Sequence, residues 1–188
     1  MSNKFLNSLE TLDALNVSDF IKFSQRGIEK ENLRSSSRSI SLEAHPKAYG
    51  SSLTNPRITT DFSEALIELV TNPNEDLNSC LKELEDIVYF CLKNTDDDFW
   101  PASIPMSIED ESTIPIADYG NTNSGKLKKL YRIGLSHRYG SMMQTVSGIH
   151  YNFSFNECFY WQTFCYLCYS NILVWCSISI YLFNFTDK

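Results

Sequence analysis

Positive charge is scarce in this chain of 188 residues, in which 16 lysines and arginines stand against 23 aspartates and glutamates. The net charge of −7 argues against a nucleic-acid-binding protein, because phosphate recognition requires a basic surface. No signal peptide is visible either, since the first twenty residues lack a basic start followed by an apolar run. Apolar residues recur there with the spacing of an amphipathic helix, at Phe5, Leu6, Leu9, Leu12 and Leu15. We therefore expect a cytoplasmic protein.

Charged side chains are absent from Cys158 to Thr186, where aromatic residues and cysteines are concentrated. Cys165 and Cys168 have CxxC spacing, but their neighbours are aromatic and no histidine follows, so neither a zinc site nor a redox pair is indicated. The length and apolarity of the stretch would suit a membrane span, which leaves a small membrane-anchored protein open as an alternative. Scattered polar residues such as Asn171 argue against a span.

Two other interpretations of this stretch remain: a buried hydrophobic segment, or translation in a shifted reading frame. Out-of-frame reading of AT-rich codons yields Phe, Tyr, Leu, Ile, Asn, Ser and Cys, which is the composition found. We therefore divide the chain into a domain of residues 1–157 and an aberrant, frameshifted tail of residues 158–188. Resequencing codons 155–165 tests the frameshift, and an intact frame shared with related proteins would contradict it.

Two segments alternate in polarity with a period of two residues, which is typical of strands. Residues 25–34 place Glu29 and Glu31 on one side, and residues 148–155 place His150 on a polar side. On a helix the two glutamates would point in nearly opposite directions. We therefore predict a strand for each segment.

The segment Ile58–Thr71 is ambiguous. Asp61, Glu64 and Glu68 would share one face of a helix, but the apolar run Leu66–Val70 and the asparagine–proline pair that follows favour a strand. We predict one continuous strand.

Helical spacing of apolar residues predicts helices over residues 74–94 and 126–139. We expect Gly140 to end the second helix in a left-handed conformation. A polar loop or turn is predicted over Ser35–Ser41, and a loop containing three prolines over residues 96–118.

Carboxylates of these predicted strands could come together at Glu29, Glu31, Asp61 and Glu68. Bringing them together without a counterion would raise their pKa values and cost stability, so such a cluster implies a bound cation. Oxygen ligands favour magnesium or calcium, and the nearby His150 leaves manganese open. The alternative for the glutamate pair is a solvated strand face, which is common in proteins.

A nucleotide-binding P-loop is suggested by residues Gly120–Lys126, which fit the pattern GxxxxGK. The pattern requires serine or threonine next, as a metal ligand, but Leu127 follows. We therefore interpret the segment as a glycine-bearing turn that starts a helix, and keep a P-loop nucleotide-binding protein only as a weaker alternative.

Four segments in order resemble those of the bacterial glutamate–cysteine ligase family: QRGIEKENLR, ITTDFSEALIELVTNP, ADYGNTNSGKLKKLYRIGLSHRYG and MQTVSGIHYNFS. The resemblance extends from about residue 20 to residue 157. It implies an α+β fold that is the N-terminal part of a glutamine-synthetase-like funnel, an antiparallel sheet with helices outside. It also implies an ATP-dependent enzyme of glutathione synthesis that activates glutamate as an acyl phosphate for attack by cysteine.

The resemblance also implies roles for ten residues. The positions that match the family's metal ligands, for Mg²⁺ or for Mn²⁺, are Glu29, Glu31, Asp61, Glu68 and His150. The positions that match its cysteine subsite are Phe62, Tyr131, Leu135, Gln144 and Val146. For Tyr131 and Leu135, plain helix packing at i and i+4 is the alternative.

The family's members are longer than the matching region of this chain. The resemblance fades after Phe155, which leaves out later strands, a further metal-binding glutamate and the basic residues for ATP phosphates. An unclosed funnel exposes a sheet edge and apolar core, so we expect an aggregation-prone and inactive product.

Overall fold

The computed structural model of the protein describes residues 3–14, 22–155 and 180–181. The expected aberrant tail, with its CxxC pair and its candidate membrane span, lies outside the described residues except for two positions. The helices are α1 (Asn3–Ala14), α2 (Leu77–Lys93) and α3 (Asn123–Tyr139). The strands are β1 (Gln25–Ser36), β2 (Ser39–Ile40), β3 (Ile58–Thr60), β4 (Leu66–Val70), β5 (Asp98–Phe99), β6 (Ile149–Ser154) and β7 (Ile180–Tyr181).

Strand β1 is the centre of an antiparallel sheet with the order β3-β4-β1-β6-β7. Its first part pairs with β4 on one edge and β6 on the other, and its last residues pair with β2 and β5. The predicted strand over residues 25–34 is therefore confirmed and continues for two more residues. The predicted strand over residues 148–155 is confirmed as β6.

The loop or turn predicted over Ser35–Ser41 is confirmed at Ser37 and Arg38, whereas the residues on both sides of this turn pair as the hairpin of β1 and β2. Ser37 and Arg38 make the turn with φ angles of 51° and 65°. Positive φ at both central residues is the conformation that matches the twist of hairpin strands, and it usually requires glycine or asparagine. Neither residue is present here, which is why the sequence did not indicate a hairpin.

The single strand predicted over Ile58–Thr71 is wrong, as is its helical alternative: the segment forms β3 and β4 with a turn between them. Both the carbonyl and the hydroxyl of Ser63 accept a hydrogen bond from the Leu66 N–H, at 3.0 Å each. Such a local bond lets the chain reverse within five residues. The turn carries Asp61, whereas Glu68 lies on β4.

Both predicted long helices are confirmed, and each begins at a side-chain cap. The Asp76 carboxylate accepts a hydrogen bond from the Ser79 N–H at the start of α2, and the Thr122 hydroxyl accepts one from the Gly125 N–H at the start of α3. Gly140 ends α3 with a φ of 82°, a region that favours glycine. Of the helices described, none has the length and apolarity that crossing a membrane requires.

The two faces of the sheet bury different apolar groups. Helix α2 covers one face, where Leu84, Ile87 and Val88 pack against a buried cluster that includes Leu69 and Cys91. At one end of the other face, Leu33, Phe62 and Leu66 form a second buried cluster. The rest of that second face is left for polar side chains of β1, β4 and β6.

A buried arginine joins four segments of the fold. The Arg34 side chain, 1% exposed, forms an ion pair of 2.6 Å with Asp97. It also donates hydrogen bonds to the carbonyls of Glu43, Ala44 and Glu64. The β1–β2 hairpin, the chain after it, the β3–β4 turn and the approach to β5 therefore meet at one guanidinium group.

We predict that Asp97→Asn destabilises the protein by about 3 to 5 kcal/mol, because it leaves a buried guanidinium charge without its counterion. Urea denaturation measures this loss. The matched control is Asp86→Asn, which removes an exposed ion pair with Lys82 and should cost less than about 1 kcal/mol. Equal losses in the two variants would contradict a structural role for the Arg34 pair.

Candidate functional site

Acidic side chains meet on one face of the sheet around the middle of β1. Glu31 of β1 lies opposite Glu68 of β4, and Glu29 of β1 lies opposite His150 of β6. Residues that face each other across antiparallel strands project to the same side, as do residues two apart on one strand. The structure therefore places the two glutamates of β1 on a common face with Glu68 and His150.

Asp61 joins this group from the β3–β4 turn. The charge of its carboxylate acts on both Glu31 and Glu68. Its backbone is held from outside the sheet, since the Arg132 Nε donates a hydrogen bond to the Asp61 carbonyl. We call Glu29, Glu31, Asp61, Glu68 and His150 the acidic cluster.

Hydrogen bonds orient the two carboxylates of β1. Glu29 Oε2 is 3.1 Å from His150 Nδ1, and Glu29 Oε1 accepts a bond of 2.8 Å from the Asn152 side-chain amide. Glu31 Oε2 accepts a bond of 2.7 Å from the Gly148 N–H. A Cβ at Gly148 would lie 3.5 Å from that oxygen and 3.4 Å from His150 Nε2, which is ordinary van der Waals contact, so it is the Gly148 N–H that matters here.

The acidic cluster carries an electrostatic cost. Burial, and then the charges of Asp61, Glu29 and Glu31, raise the pKa of Glu68 to about 7. Burial also raises the pKa of Glu31, although the Gly148 N–H acts in the opposite direction by stabilising the ionised carboxylate. At neutral pH the face therefore holds more negative charge than its surroundings offset.

This donor set fits a hard divalent cation in chemistry and charge. Carboxylate oxygens with one imidazole are ligands suited to magnesium or manganese. As the side chains stand, no three histidine, cysteine or acidic groups in the described parts of the chain are close enough together to hold a metal ion. The present hydrogen bonds of Glu29 and Glu31 are therefore those of a cation-free arrangement.

The five residues expected at a cysteine subsite are divided between the core and the surface. Phe62 is 1% exposed and shares a core cluster with the half-buried Leu135. Tyr131, one turn earlier on α3, is 65% exposed. Gln144 and Val146 are half-buried, in and just after a 3-10 turn that precedes β6.

Several residues of the site were not expected from the sequence. The Asn152 side-chain amide donates a hydrogen bond to Glu29. The alternating pattern of β6 places Asn152 on the same face as His150, which could have identified it. Arg132 and Tyr119 contact the Asp61 turn. Their separations from Asp61 of 71 and 58 residues leave no local pattern that could identify them.

The glycine of the GxxxxGK pattern has a packing role. A Cβ at Gly125 would lie 2.5 Å from the Tyr119 carbonyl oxygen and 2.8 Å from that of Gly120. Only a residue without a side chain allows α3 to start this close to the preceding turn. This accounts for the glycine without phosphate binding.

The sequence matches a model of the glutamate–cysteine ligase family over residues 9–172. The glutamate–cysteine ligase of Saccharophagus degradans is 48% identical over 137 residues, which are 72% of this chain and 26% of that protein. That of Aliivibrio fischeri is 43% identical over 163 residues, 86% of this chain and 31% of that protein. The chain therefore spans less than a third of the length of these relatives.

Two solved structures are similar to this fold. Glutamate–cysteine ligase from Francisella tularensis in complex with AMP has a TM-score of 0.74 and 39% identity, over 80% of this chain and 30% of that one. A bifunctional glutathione synthetase from Pasteurella multocida has a TM-score of 0.72 and 27% identity, over 82% of this chain and 20% of that one. The α+β fold with an antiparallel sheet, expected from the resemblance, is thereby confirmed.

We predict that Glu68 makes the cation-free protein less stable as the pH rises. A folded-state pKa near 7, above the usual 4.5, means that the folded state binds this proton more tightly. The resulting stability is complete below about pH 4.5 and is lost as the pH passes 7, by up to about 3 kcal/mol. Glu68→Gln should remove this loss, so that the variant exceeds the wild type in stability at pH 8 in EDTA.

Urea denaturation at pH 5 and pH 8 measures the effect. The control is Glu85→Gln, whose side chain is 73% exposed on α2 and should leave the pH dependence unchanged. Magnesium or manganese added at pH 8 should stabilise the wild type more than Glu68→Gln. If the stability of the wild type and of Glu68→Gln depended on pH in the same way, the raised pKa assigned to Glu68 would be wrong.

Proposed function

Because the chain belongs to the glutamate–cysteine ligase family, we propose that it forms part of an enzyme that joins the γ-carboxylate of glutamate to the amine of cysteine. ATP is the proposed co-substrate. The main support is the position of the acidic cluster: Glu29, Glu31, Glu68 and His150 lie on one sheet face with Asp61 on the adjoining turn, all within the residues that the family model matches. The family-related ligase from Francisella tularensis was solved with AMP, which supports a nucleotide in the reaction.

The acidic cluster is the proposed cation site, with Glu29, Glu31, Asp61, Glu68 and His150 as its ligands. A magnesium ion held by these residues would supply positive charge to offset the negative charge of phosphoryl transfer. The strands keep the ligand backbones fixed, so that little reorganisation is needed during the reaction. Because its pKa is near 7, Glu68 would give up a proton as the cation enters.

The proposed reaction has two steps. The γ-carboxylate of glutamate attacks the terminal phosphorus of ATP, which forms an acyl phosphate and releases ADP. The amine of cysteine then attacks the acyl carbon, phosphate leaves, and the amine loses a proton. The first step brings a charged carboxylate to a charged phosphate, and a cation held by the acidic cluster would offset part of this repulsion.

The cysteine subsite is proposed at one end of α3. Tyr131, Gln144 and Val146 are accessible enough to touch a substrate side chain. Phe62 is buried, so its part is to support Leu135 from beneath. Apolar walls with a few polar groups suit a small thiol side chain and its charged backbone.

Turnover is proposed to need residues beyond these 188, since the chain spans less than a third of the relatives' length. A cytoplasmic location is part of the proposal, because it suits the use of ATP as a co-substrate. A chimera provides the functional test. The 137-residue segment matched by the Saccharophagus degradans ligase would replace its counterpart in that protein.

We predict that the chimera forms γ-glutamylcysteine with release of ADP and phosphate, whereas the 188-residue chain alone does not. Glu29→Gln and Asp61→Asn in the chimera should lower magnesium-dependent turnover at least about tenfold, since loss of even an outer partner of a metal ligand has that effect. Product and ADP are measured over a range of magnesium concentrations.

Glu85→Gln in the same chimera is the control, because it removes an exposed glutamate of α2 and should leave turnover unchanged. If both site variants kept the magnesium dependence of the unmodified chimera, the assigned metal ligands would be wrong. An inactive but folded chimera would count against the ligase function of this segment.

A further inference from the structure

Asp61 is the one member of the acidic cluster that does not lie on a strand. Glu29 and Glu31 lie on β1, Glu68 on β4 and His150 on β6, so ladder hydrogen bonds fix their backbones. Asp61 follows the last residue of β3, and its N–H donates a hydrogen bond of 2.9 Å to the Leu66 carbonyl across the turn. Turns are less constrained than paired strands, so the position of this carboxylate depends on further contacts.

Arg132 of α3 provides the first of these contacts. Its Nε donates a hydrogen bond to the Asp61 carbonyl, and a terminal guanidinium nitrogen lies 3.5 Å from Asp61 Oδ1. The Arg132 side chain is 12% exposed, whereas that of Asp61 is 44% exposed. The guanidinium is thus well packed, and the carboxylate beside it is still accessible to a ligand.

Tyr119 provides the second contact, and its ring also orients the Arg132 guanidinium. Its hydroxyl lies 2.6 Å from the Thr60 carbonyl and 2.8 Å from the Asp61 carbonyl, and its single proton is shared between them. The Arg132 guanidinium stacks 4.6 Å above the Tyr119 ring. Tyr119 is 5% exposed, so the ring is a fixed base for the guanidinium.

We propose that Arg132, braced by Tyr119, is a positioning residue that holds the β3–β4 turn so that the Asp61 carboxylate faces the cation site. This inference rests on the proposed cation-binding function of the acidic cluster. Arg132 acts through the Asp61 backbone, and a guanidinium is needed because it reaches the carbonyl with Nε while its plane stacks on the ring. A lysine has the same charge but lacks this geometry.

A role through charge alone would give the opposite result. Removing a positive charge beside an acidic site favours a cation, and replacing arginine by lysine would then change little. A positioning role predicts instead that Arg132→Lys weakens cation binding, although lysine keeps the positive charge. Tyr119→Phe distinguishes the charge role from the positioning role further. It changes no charge and keeps the ring beside Arg132, but it removes the hydroxyl that bonds to the turn.

The experiment measures Mn²⁺ binding to the 188-residue chain by electron paramagnetic resonance of the free ion, with circular dichroism to verify folding. Arg132→Lys and Tyr119→Phe should each weaken binding at least about fivefold, the size expected from loss of one hydrogen bond of about 1 kcal/mol. Their matched controls are Arg138→Lys and Tyr139→Phe. Both control residues are exposed on α3 and should keep the wild-type affinity.

Wild-type affinity in Arg132→Lys and Tyr119→Phe, or tighter binding in Arg132→Met, would overturn the positioning role. The proposed cation site is tested separately by Glu68→Gln, which should abolish the strongest Mn²⁺ binding. If Glu68→Gln abolishes binding and Arg132→Lys does not weaken it, the site stands and the inference fails. If the wild type binds no Mn²⁺, or Glu68→Gln leaves binding intact, the cation site fails and the inference fails with it.

Discussion

The hydrogen bonding of β1 along both of its edges is the constraint on which the rest of the structure depends. Because β4 pairs with Glu29–Leu33 and β6 with Gln25–Lys30 of this one strand, its register decides which side chains of all three strands share a face. A shift of one residue would move Glu29 and Glu31 to the face that α2 covers and bring Lys30 to the polar face. Such a shift is opposed by Leu33, which is fully buried in the core cluster at the end of the polar face.

The same strand carries two groups of opposite charge on its opposite faces. Arg34 is buried with Asp97 and three carbonyl oxygens, so its charge is satisfied within the fold. The acidic cluster is not satisfied in this way, and the raised pKa of Glu68 is the consequence. This contrast between a neutralised buried charge and a group of mutually repelling carboxylates is what favours the proposed cation at the acidic cluster.

The sequence predicts the parts of this site that depend on period-two alternation. Glu29 with Glu31, and His150 on its own strand, follow directly from that pattern. The turn at Asp61 does not, because Ser63 reverses the chain through a hydrogen bond that leaves the run Leu66–Val70 looking like the continuation of one strand. The hairpin at Ser37 and Arg38 was missed because its positive φ angles occur without glycine or asparagine. Contacts from Tyr119 and Arg132 depend on where α3 docks, which no local pattern encodes.

Helix α3 joins the proposed cation site to the proposed cysteine subsite. Arg132 holds the carbonyl of Asp61, and Leu135, three residues further along the same face of the helix, packs in the cluster of Phe62, the next residue of the turn. Helix α3 therefore contacts the turn at two successive residues, Asp61 and Phe62. Because both contacts come from one helix, the docking of α3 fixes the backbone of Asp61 and the side chain of Phe62 together.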